Sequence, residues 1–187
     1  MRRLDPTPLR LALTLVSLLV PPALGAAQCA LPPSELERQL SLPYAGFDLQ
    51  QGPYGWRQLA ASGCVDTAVA ALQAYAKANA GTLSAAQRME MSFHSGQALA
   101  LAGREADSIP YFEQALAIEV SAEWRAYVEA TLAFLRHDSQ ALEQARDRYR
   151  SIAPGSMRLG FIGGMLACPD EPYARAVHCS AAAGHGG

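Results

Sequence analysis

Lysine is almost missing from this chain: Lys77 stands beside fourteen arginines, and the 15 basic residues do not outnumber the 17 acidic ones. A protein that grips nucleic acid neutralises phosphates with a surplus of basic side chains, so that class of partner is excluded. Also absent are a Gly-x-Ser-x-Gly nucleophile elbow, a His-Glu-x-x-His zinc motif and a glycine loop of the kind that cradles phosphate. No stretch alternates polar with apolar residues over more than a few positions, so no sheet is expected. An uninterrupted apolar run of about 18 residues, the minimum for a membrane span, is missing too, because Pro21 and Pro22 cut the longest one short.

That interrupted run is itself informative. Arg2 and Arg3 precede LRLALTLVSLLVPPALG, and small residues follow around Gly25 to Ala27. This is the pattern of a secretory signal peptide over residues 1–25. A membrane anchor is disfavoured by the two prolines, and a lipoprotein signal by Gln28, which stands before Cys29 where a small residue belongs. Removing 1–25 takes away Arg2, Arg3, Arg10 and Asp5, leaving 12 basic and 16 acidic residues and a formal charge of −4. The remaining chain, about 160 residues, is long enough for one domain with a real core.

Four cysteines lie beyond the leader: Cys29, Cys64, Cys168 and Cys179. An even number in an exported chain predicts two disulfides. Three connectivities are formally open; loop length and position favour Cys29 with Cys64 and Cys168 with Cys179. His178 and His185 lie near Cys179, but Cys-x10-Cys-x5-His lacks the close paired spacings of a zinc site, so neither metal nor other cofactor is expected.

The stretch from Met91 to Ile118 organises the rest. Met89, Phe93, Gly96, Leu99 and Ala100 recur at steps of three and four, the stripe of a helix packed along one side. Gly96 suits a close approach by a neighbour's backbone. Gly103 suits the left-handed turn that ends a helix. Ile109, Phe112, Ala115 and Leu116 form the returning stripe, with Pro110 read as lying in the first turn, where its missing N–H costs little.

Through Gly96, Leu99, Gly103, Phe112, Ala115 and Leu116, this stretch resembles a tetratricopeptide repeat (TPR), a helix–turn–helix unit of about 34 residues. It departs from that pattern at Ser108, where the family usually has Ala, and at Val120, where a Pro should close the unit. The resemblance implies an all-α fold, a right-handed stack of about three antiparallel helical hairpins forming a TPR-like α-solenoid. It also implies a concave face lined by the first helix of each hairpin. Glu90, Phe93, His94, Gln97, Leu101, Trp124 and Tyr127 are the residues it places there.

The flanking segments fit around this unit. Residues 26–55 read as a non-repetitive N-terminal cap: Ser34 and Glu37 suggest a capping box for a helix through Leu42, ended by Pro43. PYAGFDLQQGPYGW then has turn chemistry without a period. Its Tyr44, Phe47, Tyr54 and Trp56 are read as covering the open end of the first hairpin rather than as a recognition surface. A helical domain follows over 56–179. Its first hairpin pairs Trp56–Ser62 with Val65–Asn79 around Gly63 and buries Val65, Ala68, Val69, Leu72, Tyr75 and Ala76; Ser84 and Gln87 cap the central unit.

The third hairpin starts at Ser121, with Glu123 in its first turn. Trp124, Tyr127, Val128, Thr131, Phe134 and Leu135 point inward, 137–139 turns the chain, and Ala141, Leu142, Ala145, Tyr149 and Ile152 return. Arg146, Arg148 and Arg150, interleaved with Asp147, read as a solvated face. Residues 155–166 suit a last short helix that includes Met157, and the small-residue tail 180–187 is expected to be disordered.

Two function classes follow. The favoured one is an exported, periplasmic or secreted, interaction module: not an enzyme, a monomer or weak homodimer, holding an unknown peptide or protein on its concave face without nucleic acid or, after leader removal, membrane. The rival is a small hydrolase in which His94, one turn from Glu90 and Gln97, acts as an acid–base group; a histidine packed at the rim of a helical hairpin is the plainer reading. Mass spectrometry of the secreted product should find a mature chain beginning close to Ala26; retention of Arg2 and Arg3 would defeat the leader assignment.

Overall fold

Three left-handed residues turn the chain back on itself. Gly63 (φ 82°) and Gly103 (φ 77°) take the positive φ that glycine adopts without a Cβ clash, and His137 (φ 56°) does so despite having one. The computed structural model describes residues 29–49, 52–119 and 121–179. The leader (1–25) and the tail (180–187) expected from sequence lie outside those residues.

The chain is all-α. Among the described residues there are ten helices and no strand: α1 (Pro33–Leu40), α2 (Tyr44–Asp48), α3 (Trp56–Ala61), α4 (Val65–Ala78), α5 (Ala85–Leu101), α6 (Glu105–Leu116), α7 (Ala122–Leu135), α8 (Ser139–Ile152), α9 (Met157–Ala167) and α10 (Tyr173–Ala176). Helices α3 and α4, α5 and α6, and α7 and α8 pack as pairs across the three tight turns. The pairs also touch in chain order, α4 on α5 and α6 on α7, while α9 covers α8 and α7, and α10 reaches back to α5. No helix of the described residues is long and apolar enough to cross a membrane.

Local chemistry sets the helix ends. At the start of α5 the Ser84 hydroxyl accepts from the Gln87 N–H at 3.2 Å while the Gln87 side chain accepts from the Ser84 N–H at 2.9 Å, the capping box expected there. Ser121 caps α7 and Asp138 caps α8 from one side only, each side chain accepting a single backbone N–H.

The core falls into two clusters that meet on α5. Met89, Phe93 and Ala100 join the half built from α6–α10, whereas Met91, Ala98 and Leu99 join the half built from α2–α4. Helix α5 is therefore buried on two sides. Gly96 explains how it comes so close to α6: a Cβ there would sit 3.0 Å from two ring carbons of Phe112. The close neighbour is an aromatic ring, not the backbone expected from sequence.

Both ends are tied. The bridges are Cys29–Cys64 and Cys168–Cys179, and no described cysteine is free. The N-terminal segment lies on α4: the Tyr75 hydroxyl donates to the Leu42 carbonyl at 2.7 Å, Thr67 donates to the Cys29 carbonyl at 2.7 Å, and Phe47, fully buried, stacks on Tyr75 with ring centroids 3.9 Å apart.

Several local expectations are corrected. Helix α1 starts at Pro33 and ends at Leu40 with no side-chain cap, because Pro33 supplies a preset φ and needs no donor partner, so Ser34 does not act as N-cap. The segment read as aperiodic contains α2, since burying Phe47 against Tyr75 outweighs weak local propensity. Pro110 is the sixth residue of α6, not a first-turn residue. Its missing N–H is tolerated because Phe112 and Ala115, both fully buried, hold the helix against α5 and α7. Ile152 (46% exposed) and Met157 (78%) are not inward-facing. Leu99→Ala and Phe112→Ala should each lower stability by roughly 2–5 kcal/mol in urea titrations, as each opens a cavity beside α5. Glu113→Ala, which breaks only an exposed ion pair to Arg136, should move the midpoint by less than about 1 kcal/mol.

Candidate functional site

The long burial of α5 leaves one stripe. Glu90, His94 and Gln97 are half-buried and Leu101 is exposed, while Met89, Met91–Phe93, Ser95, Gly96 and Ala98–Ala100 are buried. Steps of four, three and four keep Glu90, His94, Gln97 and Leu101 on one side of the helix.

At its N-terminal end the stripe is covered by α2 and α3. The Tyr44 hydroxyl donates to a Glu90 carboxylate oxygen. Burial first, and then the Glu90 carboxylate beside it, push the Tyr44 hydroxyl well above the ordinary tyrosine range. One turn on, His94 Nδ1 lies 3.1 Å from Asp48 Oδ1, at ion-pairing distance but off the line that a hydrogen bond needs. The Asp48 carboxylate is almost buried and well supplied otherwise: Trp56 Nε1 donates at 3.3 Å, and Arg57 reaches both carboxylate oxygens, at 3.2 and 3.3 Å, and the Asp48 backbone carbonyl. Burial works against its charge, but His94 and Arg57 prevail and lower the carboxyl to about 2. The His94 ring stacks on Trp56 at 4.9 Å, and the Arg57 guanidinium also lies over the Trp56 ring, 4.1 Å from its centroid.

Farther along the stripe the cover ends. A cleft of about 360 Å³ opens between α3 and α5, floored by Trp56, Ala60, Ala98 and Leu101 and edged by Arg57 and Gln97. Leu101 is 46% exposed there. A smaller hollow of about 150 Å³ shares Gln97 and Leu101 with that cleft and continues toward Tyr127, Phe161 and His178. Between α4, α5 and α6 lies a separate depression of about 300 Å³, where Ser95 donates to the Met91 carbonyl at 2.9 Å and Gln73 to the Tyr111 hydroxyl at 2.6 Å.

The sequence-derived site residues divide accordingly. Glu90 and His94 are bound to the N-terminal cover; Gln97 and Leu101 line open space. Phe93 and Tyr127 are 2% and 3% exposed and belong to the core, with Phe93 5.3 Å from Phe112 and 5.4 Å from both Trp124 and Tyr127. They turn inward because α5 is buried on two sides, so a direct binding role for them is corrected. Trp124 is half-buried beneath the Arg158 guanidinium, 4.1 Å from its ring, and Arg158 pairs with Glu123 at 3.1 Å.

Sequence reasoning missed Asp48, Arg57 and Tyr173. Asp48 carried no local signal, since its partners stand 8, 9 and 46 residues away; Arg57 sat one position from a correctly read aromatic. Among the described residues no group of three or more His, Cys, Asp or Glu side chains is placed to hold a metal ion. No protein-family model matches the chain, and comparison with curated proteins and with solved structures finds no match.

The depressed Asp48 carboxyl gives a signed expectation. Its stabilising contribution is fully present above the unfolded aspartate value, about 4, and is lost as pH falls toward about 2. Urea midpoints of wild type should therefore approach those of Asp48→Asn as pH drops through that window, and stand well above them at pH near 7; parallel profiles would contradict the Asp48 assignment.

Proposed function

We propose that the mature protein is an exported interaction module, a TPR-like array of three helix pairs that takes a peptide or a partner's chain segment on the face formed by α3, α5 and α7. The observation that carries this reading is the α5 stripe: its upper half is sealed by α2 and α3, and its lower half, Gln97 and Leu101, faces an apolar cleft with an exposed leucine at its floor. The cleft lining includes one charged side chain, Arg57, and one polar one, Gln97, in a hollow otherwise lined by alanine, tryptophan and leucine. That combination suits a segment presenting a large apolar side chain beside a carboxylate. Two disulfides support an oxidising compartment.

The histidine that suggested a hydrolase is better accounted for as a tie. His94 packs its ring on Trp56 and places Nδ1 beside Asp48, and both partners belong to the segments that cover α5. Removing it would loosen that cover.

Selection of displayed linear peptides against the oxidised mature protein should enrich sequences with an aromatic or long aliphatic residue next to Asp or Glu. Leu101→Glu should weaken capture of the enriched peptide by at least about tenfold without lowering the unfolding midpoint, since Leu101 is exposed. Capture that ignores Leu101→Glu, or an enrichment lacking acidic residues, would overturn the proposal.

A further inference from the structure

The smaller hollow beside Gln97 is narrow because the chain's own C-terminal end lies across it. Residues 168–179 form a loop closed by the Cys168–Cys179 bridge, and α10 within it packs back on α5 rather than only on its sequence neighbour α9. Its anchor is Tyr173, 1% exposed at the head of a four-residue helix. The Tyr173 N–H donates to Glu105 Oε1 at 2.6 Å, across 68 residues of sequence. Its ring lies 6.2 Å from Phe134, and its hydroxyl sits beside the Gln97, Tyr127 and Thr131 side chains. These partners come from α5, α6 and α7. The loop thus lies against α5, the helix that also walls the open cleft.

Gly164 makes this fit possible. A Cβ there would lie 2.4 Å from the Ala176 carbonyl oxygen and 3.0 Å from that of Cys179, so any larger residue would push the loop off α9. Pro169 and Pro172 flank the short stretch that leads into the anchor, and Cys168 and Cys179 are both half-buried, within reach of solvent.

Resting on the binding face proposed above, we infer that residues 168–179 are a disulfide-held strap, an intramolecular occupant of the α5–α7 part of that face, and that opening the Cys168–Cys179 bridge releases it and lengthens the groove beyond Gln97. The opening reaction is thiol–disulfide exchange with a dithiol reductant. One thiolate attacks a sulfur of the bridge, breaking the S–S bond and forming a mixed disulfide. The second thiolate of the reductant then displaces that sulfur; the reductant leaves as its own disulfide, and Cys168 and Cys179 each take up a proton as thiols. The strap then keeps its hydrogen bonds and packing contacts without the covalent closure, with the chain entropy of an open loop set against them.

Hydrogen exchange on the mature chain tests the strap without any ligand. In the Cys168→Ser/Cys179→Ser variant, amides of 173–179 and of Gln97–Leu101 should exchange at least about tenfold faster than in oxidised wild type, with α4 and α8 unchanged. Tyr173→Ala, with the bridge intact, should open the same two regions. Unchanged protection in both variants, or a loss spread through α4 and α8, would overturn the strap, because the loop would then be a fixed part of the core. The peptide enriched on wild type should bind the double-serine variant at least about tenfold more tightly and remain sensitive to Leu101→Glu. A strap that opens in a protein capturing no peptide would defeat the binding face alone; capture through Leu101 with a strap that never opens would defeat this inference alone.

Discussion

The contact between Gly96 and the Phe112 ring is the constraint on which the other packing depends. With hydrogen in place of a side chain at 96, the ring reaches the helix surface and meets Phe93, around which the Trp124 and Tyr127 rings gather in turn. That draws α6 and α7 to one side of α5 while α3 and α4 hold the other. A helix squeezed from two sides retains a single free edge. Between Met89 and Ala100 the residues of α5 that escape full burial, Glu90, His94 and Gln97, all lie on that edge.

Along that edge the chain treats two halves differently. Glu90 and His94 are used up in holding the N-terminal segment: a tyrosine hydroxyl on one, a buried aspartate and a tryptophan face on the other. Gln97 and Leu101 have no such cover on the α3 side. The same helix therefore carries both an internal seam, where its side chains meet the N-terminal cover out of water, and a stretch that lines the cleft. Arg57 belongs to both, bonded to Asp48 inside and bordering the cleft outside.

Much of the frame was legible in sequence because it is governed by short-range physics. Gly63 and Gly103 announce left-handed turns, Ser84 with Gln87 announces a helix start, and the three-and-four spacing of Val65 to Tyr75 announces the buried side of α4. The disulfide pairing followed from loop length. What was not legible depends on residues far apart. Nothing near Asp48 says that a histidine 46 residues on will meet it, and nothing near Tyr173 says that it will be buried among Gln97, Tyr127 and Phe134. A single buried stripe on α5 would turn Phe93 toward a groove; the second packing partner, set by tertiary contact, turns it into the core. Pro110 was misplaced for the related reason that helix starts are set by capping geometry, and α6 begins earlier than local pattern suggested.

The two bridges also determine how the molecule would respond to being stretched. Each closes a loop at its own end, spanning separations of 35 and 11 residues, and neither crosses the central helices. A pull applied to residues outside the bridges would pass through the sulfur atoms and bypass both loops, so the length released on forced unfolding would come from the chain between Cys64 and Cys168, at about 3.5 Å per residue. The capped ends would remain as tethered knots on either side of an extended middle, still holding the local loops from which the pairs could be rewound.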